Sequence, residues 1–207
     1  MFRDRLDAAE RLARRLSHLK GQDPLILAIP RGAVPMGRLM ADALEGDLDV
    51  VLVRKVGAPG NPEYAIGAVS EDGSLALEAT ARHYREEAVN REIDKQQALL
   101  EERRRRYTPV RAAIDPEGRI VVVVDDGSAT GATMAAALTA LRSRGPKRLI
   151  AALGAAPPDT VARLESLADE VVCLETPWNF QAVGQFFTDF DQVEDEEVIM
   201  LLGGEHG

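Results

Sequence analysis

Short apolar runs and longer stretches with apolar residues at helical spacing alternate along most of the chain. A short apolar run between turn residues indicates a buried strand, and apolar positions three and four residues apart indicate an amphipathic helix. We therefore predict an α/β fold with a mostly parallel sheet and helices on both faces. The predicted strands are Leu25–Ile29, Asp49–Val53, the run that starts at Val121, Arg148–Leu153 and Val171–Leu174, and the predicted helices are an N-terminal one, Val34–Leu44, Ala132–Arg144 and one that Asp159 caps and that ends near Ala168.

The segment between the second and third of these strands has a different pattern. The stretch Val56–Ile66 contains two Gly and two Pro, which predicts a loop with a tight turn beginning at Ala58. Gly67–Ser70 and Leu75–Leu77 are typical of a small hairpin. Ala79–Tyr107 is rich in charged residues and is predicted to be a largely exposed helix or helix pair, inserted before the central strand.

A basic run, Arg103–Arg106, ends this inserted segment. It could contact a phosphate or a partner. It could also be the solvated end of a helix, where cations interact favourably with the peptide dipoles. We favour the second interpretation.

Length and composition predict a single domain. The chain has 207 residues, of which 45% are hydrophobic and 29% charged, as in ordinary globular proteins. We expect a core over residues 21–174, a helical insert over 79–112 and a small C-terminal hood over 175–207. No apolar run approaches the length that spans a bilayer, and the N-terminus lacks the apolar segment of a signal peptide. We therefore expect a cytoplasmic protein with no membrane partner.

The net charge of −9 restricts the choice of ligand. Nucleic-acid binding requires a basic surface, so we expect no nucleic-acid partner. A small polyanionic ligand would need a local positive pocket, backbone amides or a divalent cation to offset the overall field.

The segment Val121–Thr133 carries the strongest chemical signal. A run of valines leads into Asp125 and Asp126, and a short loop of small and hydroxyl residues then opens a predicted helix. In open α/β sheets, ligands bind beyond the carboxyl ends of the strands. Unpaired amides at a helix start suit a phosphate, and paired carboxylates can accept hydrogen bonds from vicinal hydroxyls. The segment therefore predicts a sugar-phosphate site, with an ordinary strand–turn–helix joint as the alternative.

The same segment resembles the ribose-phosphate loop of the type I phosphoribosyltransferases. In that family an apolar strand is followed by two acids, two residues that are usually apolar and a loop of small residues, threonines and a glycine. The resemblance implies that Asp125 and Asp126 contact the ribose hydroxyls of phosphoribosyl pyrophosphate. It also implies that the residues after them hold the 5-phosphate, namely Gly127, Ser128, Ala129, Thr130, Gly131, Ala132 and Thr133. The first two of these differ from the family, which usually has an apolar pair there.

Two further turns resemble the parts of the family that bind pyrophosphate. In Pro30–Ala33, Gly32 would let the backbone approach the anion, and Arg31 could offer it a planar fork of donors. Lys55 stands where family members carry a cation before a mobile lid. Arg54 should point to the opposite face of the strand, so we expect only one of the two to serve the site. Ordinary surface cations are the alternative for both turns.

The resemblance to the family also concerns the C-terminal segment and a metal ion. In the family a small hood binds a nucleobase, and Phe180 is the expected base-stacking residue in an aromatic-rich segment. The alternative is that these rings form the hood's own core. The resemblance implies Mg²⁺ carried in with the diphosphate, and we assign no residue as a metal ligand.

The resemblance implies Mg²⁺-dependent transfer of phosphoribosyl to a nitrogenous acceptor, with a nucleobase as one candidate, within nucleotide metabolism. Asp125, Asp126, Arg31 and Lys55 are the expected catalytic residues. The alternative is a sensor that binds a nucleotide or phosphoribosyl pyrophosphate on the same fold without turnover. A homodimer is left open. The chain lacks the sequence motifs of phosphate-loop kinases and dinucleotide-binding oxidoreductases, which argues against both classes.

Overall fold

The computed structural model describes residues 1–110 and 112–203, and within them lie eight strands and six α-helices. The strands are β1 (Leu25–Ala28), β2 (Asp47–Val50), β3 (Val53–Ala58), β4 (Asn61–Ser70), β5 (Leu75–Leu77), β6 (Ile120–Gly127), β7 (Arg148–Ala155) and β8 (Glu170–Glu175). The helices are α1 (Arg5–Arg15), α2 (Val34–Leu44), α3 (Glu86–Tyr107), α4 (Ala132–Arg142), α5 (Pro158–Glu165) and α6 (Asp195–Gly203).

Five strands form the main sheet, in the order β2-β1-β6-β7-β8, and every pairing in it is parallel. This confirms the predicted fold class. Parallel neighbours require crossover connections, so the segments after the strands all emerge at the carboxyl edge of the sheet. Strand β6 lies at the centre, with β1 beside it. The loops that follow these two strands are therefore neighbours.

Helices cover both faces of the main sheet. Side chains of β6 alternate between two apolar clusters: Val122 and Val124 pack with α1 and α2, whereas Val121 and Val123 pack with α4. Burial on both faces explains why this strand is apolar at successive positions. Within the residues described, no helix has both the length and the apolar character that crossing a bilayer requires.

A second, three-stranded antiparallel sheet, β3-β4-β5, replaces the loop predicted at Val56–Ile66. The loop prediction is wrong, although the tight turn after Ala58 is present, because Ala58 pairs with Asn61 across it. The strand pairing is irregular near Gly57, where a Cβ atom would lie 2.6 Å from the carbonyl oxygen of Pro62. Glycine and proline therefore mark a bulged hairpin in this segment. The hairpin predicted next to it is confirmed as β4 and β5.

Two other predicted boundaries are wrong. The strand expected at Asp49–Val53 ends at Val50, and β3 begins at Val53. The apolar residues between the two strands disguise this break as one continuous run. Helix α5 is preceded by Pro157 at its N-cap, and Asp159 lies in its first turn instead of capping it.

The inserted segment is a short 3-10 turn followed by the single helix α3, which packs on β3. Its basic end is not uniformly solvated. The side chain of Arg104 is only 13% exposed, and its guanidinium donates to Asp49 at 3.0 Å, to Glu71 at 2.5 and 2.6 Å and to the Val50 carbonyl at 3.1 Å. Burial alone would lower the pKa of Arg104, but these carboxylates raise it above its usual value. The solvated interpretation is wrong for this arginine and holds for Arg105, which is exposed.

The N-terminal residues of the chain pack against the hood. The amide of Phe2 donates to the Phe186 carbonyl at 2.7 Å, and the amide of Thr188 donates to the Phe2 carbonyl at 2.9 Å. The rings of Phe2 and Phe187 lie 5.1 Å apart between centroids. These contacts bring the first turn of α1 to the carboxyl edge of the main sheet. The last four residues of the predicted hood, 204–207, lie outside the described residues.

Candidate active site

The candidate site lies at the carboxyl edge of the main sheet, between the segments that follow β1 and β6. The amide of Ile29 donates to the Val124 carbonyl at 3.0 Å, which holds the end of β1 against β6. The turn Pro30–Ala33 then leads into α2, and residues 128–131 lead from β6 into α4. Two of the predicted phosphate-binding segments are therefore adjacent in the structure.

The two predicted acids lie side by side at the end of β6. Asp126 is buried, and its Oδ2 accepts a hydrogen bond from Nε of Arg5 at 2.8 Å. Asp125 is partly buried, and its Oδ1 accepts the amide of Asp126 at 3.0 Å. Burial, and then the neighbouring charge of Asp126, raise the pKa of Asp125 well above its usual value. The pair therefore favours one proton, so that it can both donate and accept hydrogen bonds.

The loop after these acids has the geometry of an anion site. Ser128 accepts the amide of Gly131 through its hydroxyl at 2.9 Å, and Thr160 donates to the Ala129 carbonyl at 2.9 Å. The first bond closes the loop on itself, and the second fixes it on α5. Four amides at the loop and the helix start meet no acceptor in the described part of the chain: those of Ala129, Thr130, Thr133 and Met134. Unpaired amides at the positive end of a helix bind phosphate groups.

Two glycines of this region fit where no other residue would. Gly131 has a φ of 68°, and a Cβ on it would lie 2.8 Å from Cγ2 of Thr160. Gly127, predicted to hold phosphate, is instead the buried last residue of β6, where a Cβ would lie 2.7 Å from the Ala155 carbonyl oxygen. Gly127 thus lies beneath the loop and does not line it. Ala132 and Thr133 are exposed at the first turn of α4.

The turn after β1 packs directly on the acids. A Cβ on Gly32 would lie 2.6 Å from Oδ2 of Asp126, so any larger residue would have to displace this carboxylate. The Pro30–Arg31 peptide is cis. The Arg31 guanidinium is directed towards the start of α6, with Nη1 3.5 Å from the Glu194 carboxylate and 3.8 Å from that of Asp195. The structure thus brings Gly32, but not the charged end of Arg31, to the two acids.

Arg5 is the residue that sequence reasoning missed. It starts α1, and its side chain lies against Asp126 and Gly32. No local sequence signal distinguishes Arg5 from the other arginines of the N-terminal helix. Only the pairing of the chain's first residues with the hood brings it to the site.

Lys55 belongs to a separate part of this region. It lines a cavity of about 500 Å³ between β3, β4 and the exposed side of α4, together with Thr133 and Tyr64. Neither Asp125 nor Asp126 lines this cavity. Arg54 donates through Nε to Gln96 of α3 at 2.7 Å. Lys55 is therefore near the start of α4 and not beside the acids.

Phe180 lies in the hood, partly buried, with its ring centroid 5.1 Å from that of Phe186. Phe190 stacks on Phe187 at 4.9 Å, and Trp178 is exposed. Phe180 therefore already has an aromatic neighbour within the hood.

Across residues 1–110 and 112–203, no group of three or more His, Cys, Asp and Glu side chains is arranged to hold a metal ion. Asp125 and Asp126 are the carboxylates that directly precede this loop along the chain. Such a set suits a hard cation that takes most of its ligands from water or from a bound phosphate.

Comparison with known proteins supplies the family. A family model described as "Phosphoribosyl transferase domain" matches residues 3–186. Two Mycobacterium tuberculosis proteins, from strains CDC 1551 and H37Rv, are provisionally named phosphoribosyl transferases. Each is 43% identical to this chain over 209 residues, covering 100% of this chain and 47% of its own length. The chain therefore spans about half the length of the curated relatives it matches.

A solved structure shares the whole described fold. The crystal structure of TT1426 from Thermus thermophilus is 47% identical in sequence and superposes with a TM-score of 0.88. The match covers 98% of this chain and 97% of that one.

Proposed function

The chain belongs to the phosphoribosyl transferase family, and from that membership we propose that it transfers phosphoribosyl from phosphoribosyl pyrophosphate to a nitrogenous acceptor. One observation carries the proposal. At a single edge of the sheet, two adjacent carboxylates border a loop with four amides that meet no acceptor among the described residues. A phosphate and a vicinal diol are the two features by which ribose 5-phosphate is recognised, and this edge offers a partner for each.

The proposed donor site uses the residues after β6. Within the loop Ser128–Thr133 and the start of α4, the amides that meet no acceptor in the described residues hold the 5-phosphate, where the dipole of α4 adds a favourable field. Asp126 accepts a hydrogen bond from one ribose hydroxyl. Burial raises the pKa of Asp125 and so favours its protonated form, which can donate to the other hydroxyl or accept from it. The ribose ring would then lie over the end of β6.

The pyrophosphate would lie at the turn Pro30–Ala33. Gly32 carries no side chain that would keep the anion away from the backbone. Arg31 would exchange the carboxylates of Glu194 and Asp195 for phosphate oxygens. Lys55 would approach from the hairpin β3–β4, at the far side of the start of α4. Mg²⁺, when bound, supplies charge neutralisation on the diphosphate, and Asp126 would contact it through water.

In the proposed reaction the bond between the anomeric carbon and the pyrophosphate oxygen breaks, and the acceptor nitrogen forms a bond to that carbon. Negative charge accumulates on the departing pyrophosphate. Cations and amides already aimed at it lower the barrier, because they need no reorganisation during the reaction. The hood would exclude water, which would otherwise compete with the acceptor.

We propose a nucleobase as the acceptor, bound under the hood. The ring of Phe180 is partly buried and lies beside that of Phe186 in the hood. An aromatic face of this kind stacks on planar heterocycles. Phosphoribosyl pyrophosphate is a polyanion that does not cross a lipid bilayer unaided, so we place the reaction in the cytoplasm, within nucleotide metabolism.

The second candidate is a sensor that binds the donor without turnover. It is favoured by the internal ion pairs of Arg31 with α6 and of Asp126 with Arg5, because a catalytic site would have to break or share them. A homodimer also stays a prediction, which sedimentation velocity on the purified chain measures.

Pyrophosphate release separates the enzyme from the sensor. The chain is incubated with phosphoribosyl pyrophosphate, Mg²⁺ and a panel of purine and pyrimidine bases, and released pyrophosphate is measured. We expect base-dependent release that falls by at least about tenfold in Lys55→Gln. The matched control is Lys20→Gln. Lys20 precedes β1 at the opposite edge of the sheet, is exposed and pairs with Glu45. Donor binding without release for any base would favour the sensor.

A further inference from the structure

The guanidinium of Arg5 lies between the hood and the two turns of the candidate site. Its side chain is only 13% exposed, although it belongs to the first turn of a surface helix. Nε donates to Oδ2 of Asp126 at 2.8 Å. Nη2 lies beside Gly32, 3.3 Å from the position that a Cβ there would occupy. Arg5 is therefore the arginine that directly borders the proposed pyrophosphate turn and the proposed ribose acid.

Three contacts hold this guanidinium in one orientation. Besides the bond to Asp126, Nη1 donates to the Asp191 carbonyl at 2.5 Å. The ring of Phe190 stacks on the guanidinium, with its centroid 3.9 Å from Cζ. A cation fixed in this way loses little further freedom when it binds an anion.

The guanidinium still has donors to offer. Arginine carries five N–H donors, and the bonds to Asp126 and Asp191 use two of them. The others meet no acceptor in the described residues, and those on Nη2 are next to Gly32. Arg31, by contrast, is directed towards the carboxylates of Glu194 and Asp195, before and at the start of α6.

Charge gives Arg5 a second role at this point. The carboxylate of Asp126 lies directly beside the turn where a diphosphate would bind, and it would repel that diphosphate. Pairing with Arg5 offsets the repulsion while the second oxygen of Asp126 stays available for a hydroxyl group. The chain's overall charge of −9 makes such local compensation necessary.

We infer that Arg5 is a binding residue for the pyrophosphate part of the donor, donating from Nη2 to a phosphate oxygen above Gly32. The inference rests on the proposed function and adds to it a residue from the N-terminal helix. It also makes the hood part of the donor site, because Phe190 and Asp191 orient Arg5.

The test compares three ligands by calorimetry in the presence of Mg²⁺: phosphoribosyl pyrophosphate, pyrophosphate and ribose 5-phosphate. In Arg5→Gln we expect affinity for the first two ligands to fall by about 10- to 100-fold, as when a hydrogen bond to a charged group is lost. Ribose 5-phosphate lacks the diphosphate, so its affinity should change by no more than about twofold. The matched control, Arg14→Gln, removes an exposed arginine of the same helix whose one ion pair among the described residues is with Glu10, and all three affinities should stay unchanged.

Arg5→Lys is measured alongside, because it keeps the charge beside Asp126 but loses the planar fork. If Arg5→Gln gives no cooperative thermal unfolding, Arg5→Lys alone tests whether Arg5 binds the pyrophosphate part of the donor. We expect the affinity of Arg5→Lys for pyrophosphate to fall by about tenfold. Unchanged pyrophosphate affinity in the folded variants would overturn the inference, as would an equal loss for ribose 5-phosphate. Failure of the unsubstituted chain to bind either sugar phosphate would instead overturn the proposed function.

Discussion

The guanidinium of Arg31 lies 3.5 Å from the carboxylate of Glu194, across the gap between the turn after β1 and the start of α6. The predicted pyrophosphate arginine is therefore held by the chain's own acids. Bound pyrophosphate would have to displace them, and the ion pair competes with the ligand. Because the pair is partly exposed, the competition should be modest.

Glu194→Gln should therefore increase the affinity for phosphoribosyl pyrophosphate by about two- to fivefold, the range expected for loss of an exposed ion pair. Calorimetry in the presence of Mg²⁺ measures this change. Glu197→Gln is the control for net charge, since Glu197 is exposed in the first turn of α6, just after Glu194, and has no ion pair within the described chain. An equal gain in both variants would show that overall charge, and not the contact with Arg31, limits binding.

Asp125→Asn should stabilise the fold at neutral pH. The folded state raises the pKa of Asp125, first through burial and then through the charge of Asp126. Below the ordinary carboxyl pKa of about 4 the folded and unfolded states both carry the proton, so this group has no penalty there. As the pH rises towards the folded pKa, the unfolded chain loses the proton first, and stability falls.

The asparagine removes this penalty and keeps an oxygen for the Asp126 amide. We expect a higher Tm for Asp125→Asn at pH 7, and a difference from the unsubstituted chain that shrinks towards pH 4. Asp94→Asn, on the exposed face of α3, should leave Tm nearly unchanged at both pH values. A lower Tm for Asp125→Asn at pH 7 would contradict the raised pKa.

Gly131→Ala should lose both stability and phosphate binding. The left-handed backbone costs alanine about 1 kcal/mol, and contact with Thr160 adds to this. Gly60→Ala is a close control, because Gly60 has a φ of 81° but open space around its Cβ position. Urea unfolding should show a loss in both variants, larger in Gly131→Ala. Only Gly131→Ala should bind ribose 5-phosphate more weakly, and equal binding in the two would argue against the loop as the phosphate site.

Arg104→Ala should destabilise the fold by about 3–5 kcal/mol, because it leaves Asp49 buried without its cation. The Asp49 side chain is 2% exposed. Arg105→Ala removes the next residue of the basic run, which is 76% exposed and pairs with Glu101 within α3, and should cost less than about 1 kcal/mol. Urea unfolding measures both. Similar small losses would mean that Arg104 belongs to a solvated helix end after all.

The sequence predicted those parts of the fold whose signals are local. Apolar runs located β1, β6, β7 and β8 to within a few residues, and helical spacing located α2 at Val34–Leu44. The hairpin β3–β4 was missed because glycine and proline are typical of loops, whereas here they fit a bulge. Propensity cannot distinguish these cases, because the stabilising contacts come from strands elsewhere in the chain.

In the candidate site, too, the sequence predicted the residues that have a local signal and missed the contacts that depend on the tertiary structure. Asp125, Asp126 and the loop after them are contiguous, so one motif predicts them together. The environment of Arg31 depends on Glu194, and that of Asp126 depends on Arg5 at the other end of the sequence. Such pairs form only in the tertiary structure, and no local sequence pattern predicts them.

The central claim is that the end of β6 grips the ribose of phosphoribosyl pyrophosphate through its two carboxyl groups. Calorimetric titration with this ligand and Mg²⁺ tests it most directly, comparing the unsubstituted chain with the double variant Asp125→Asn, Asp126→Asn. We predict binding by the former and a loss of at least about tenfold in the latter, as expected when charge-assisted hydrogen bonds are weakened. Equal affinity in a double variant that still unfolds cooperatively would contradict the account.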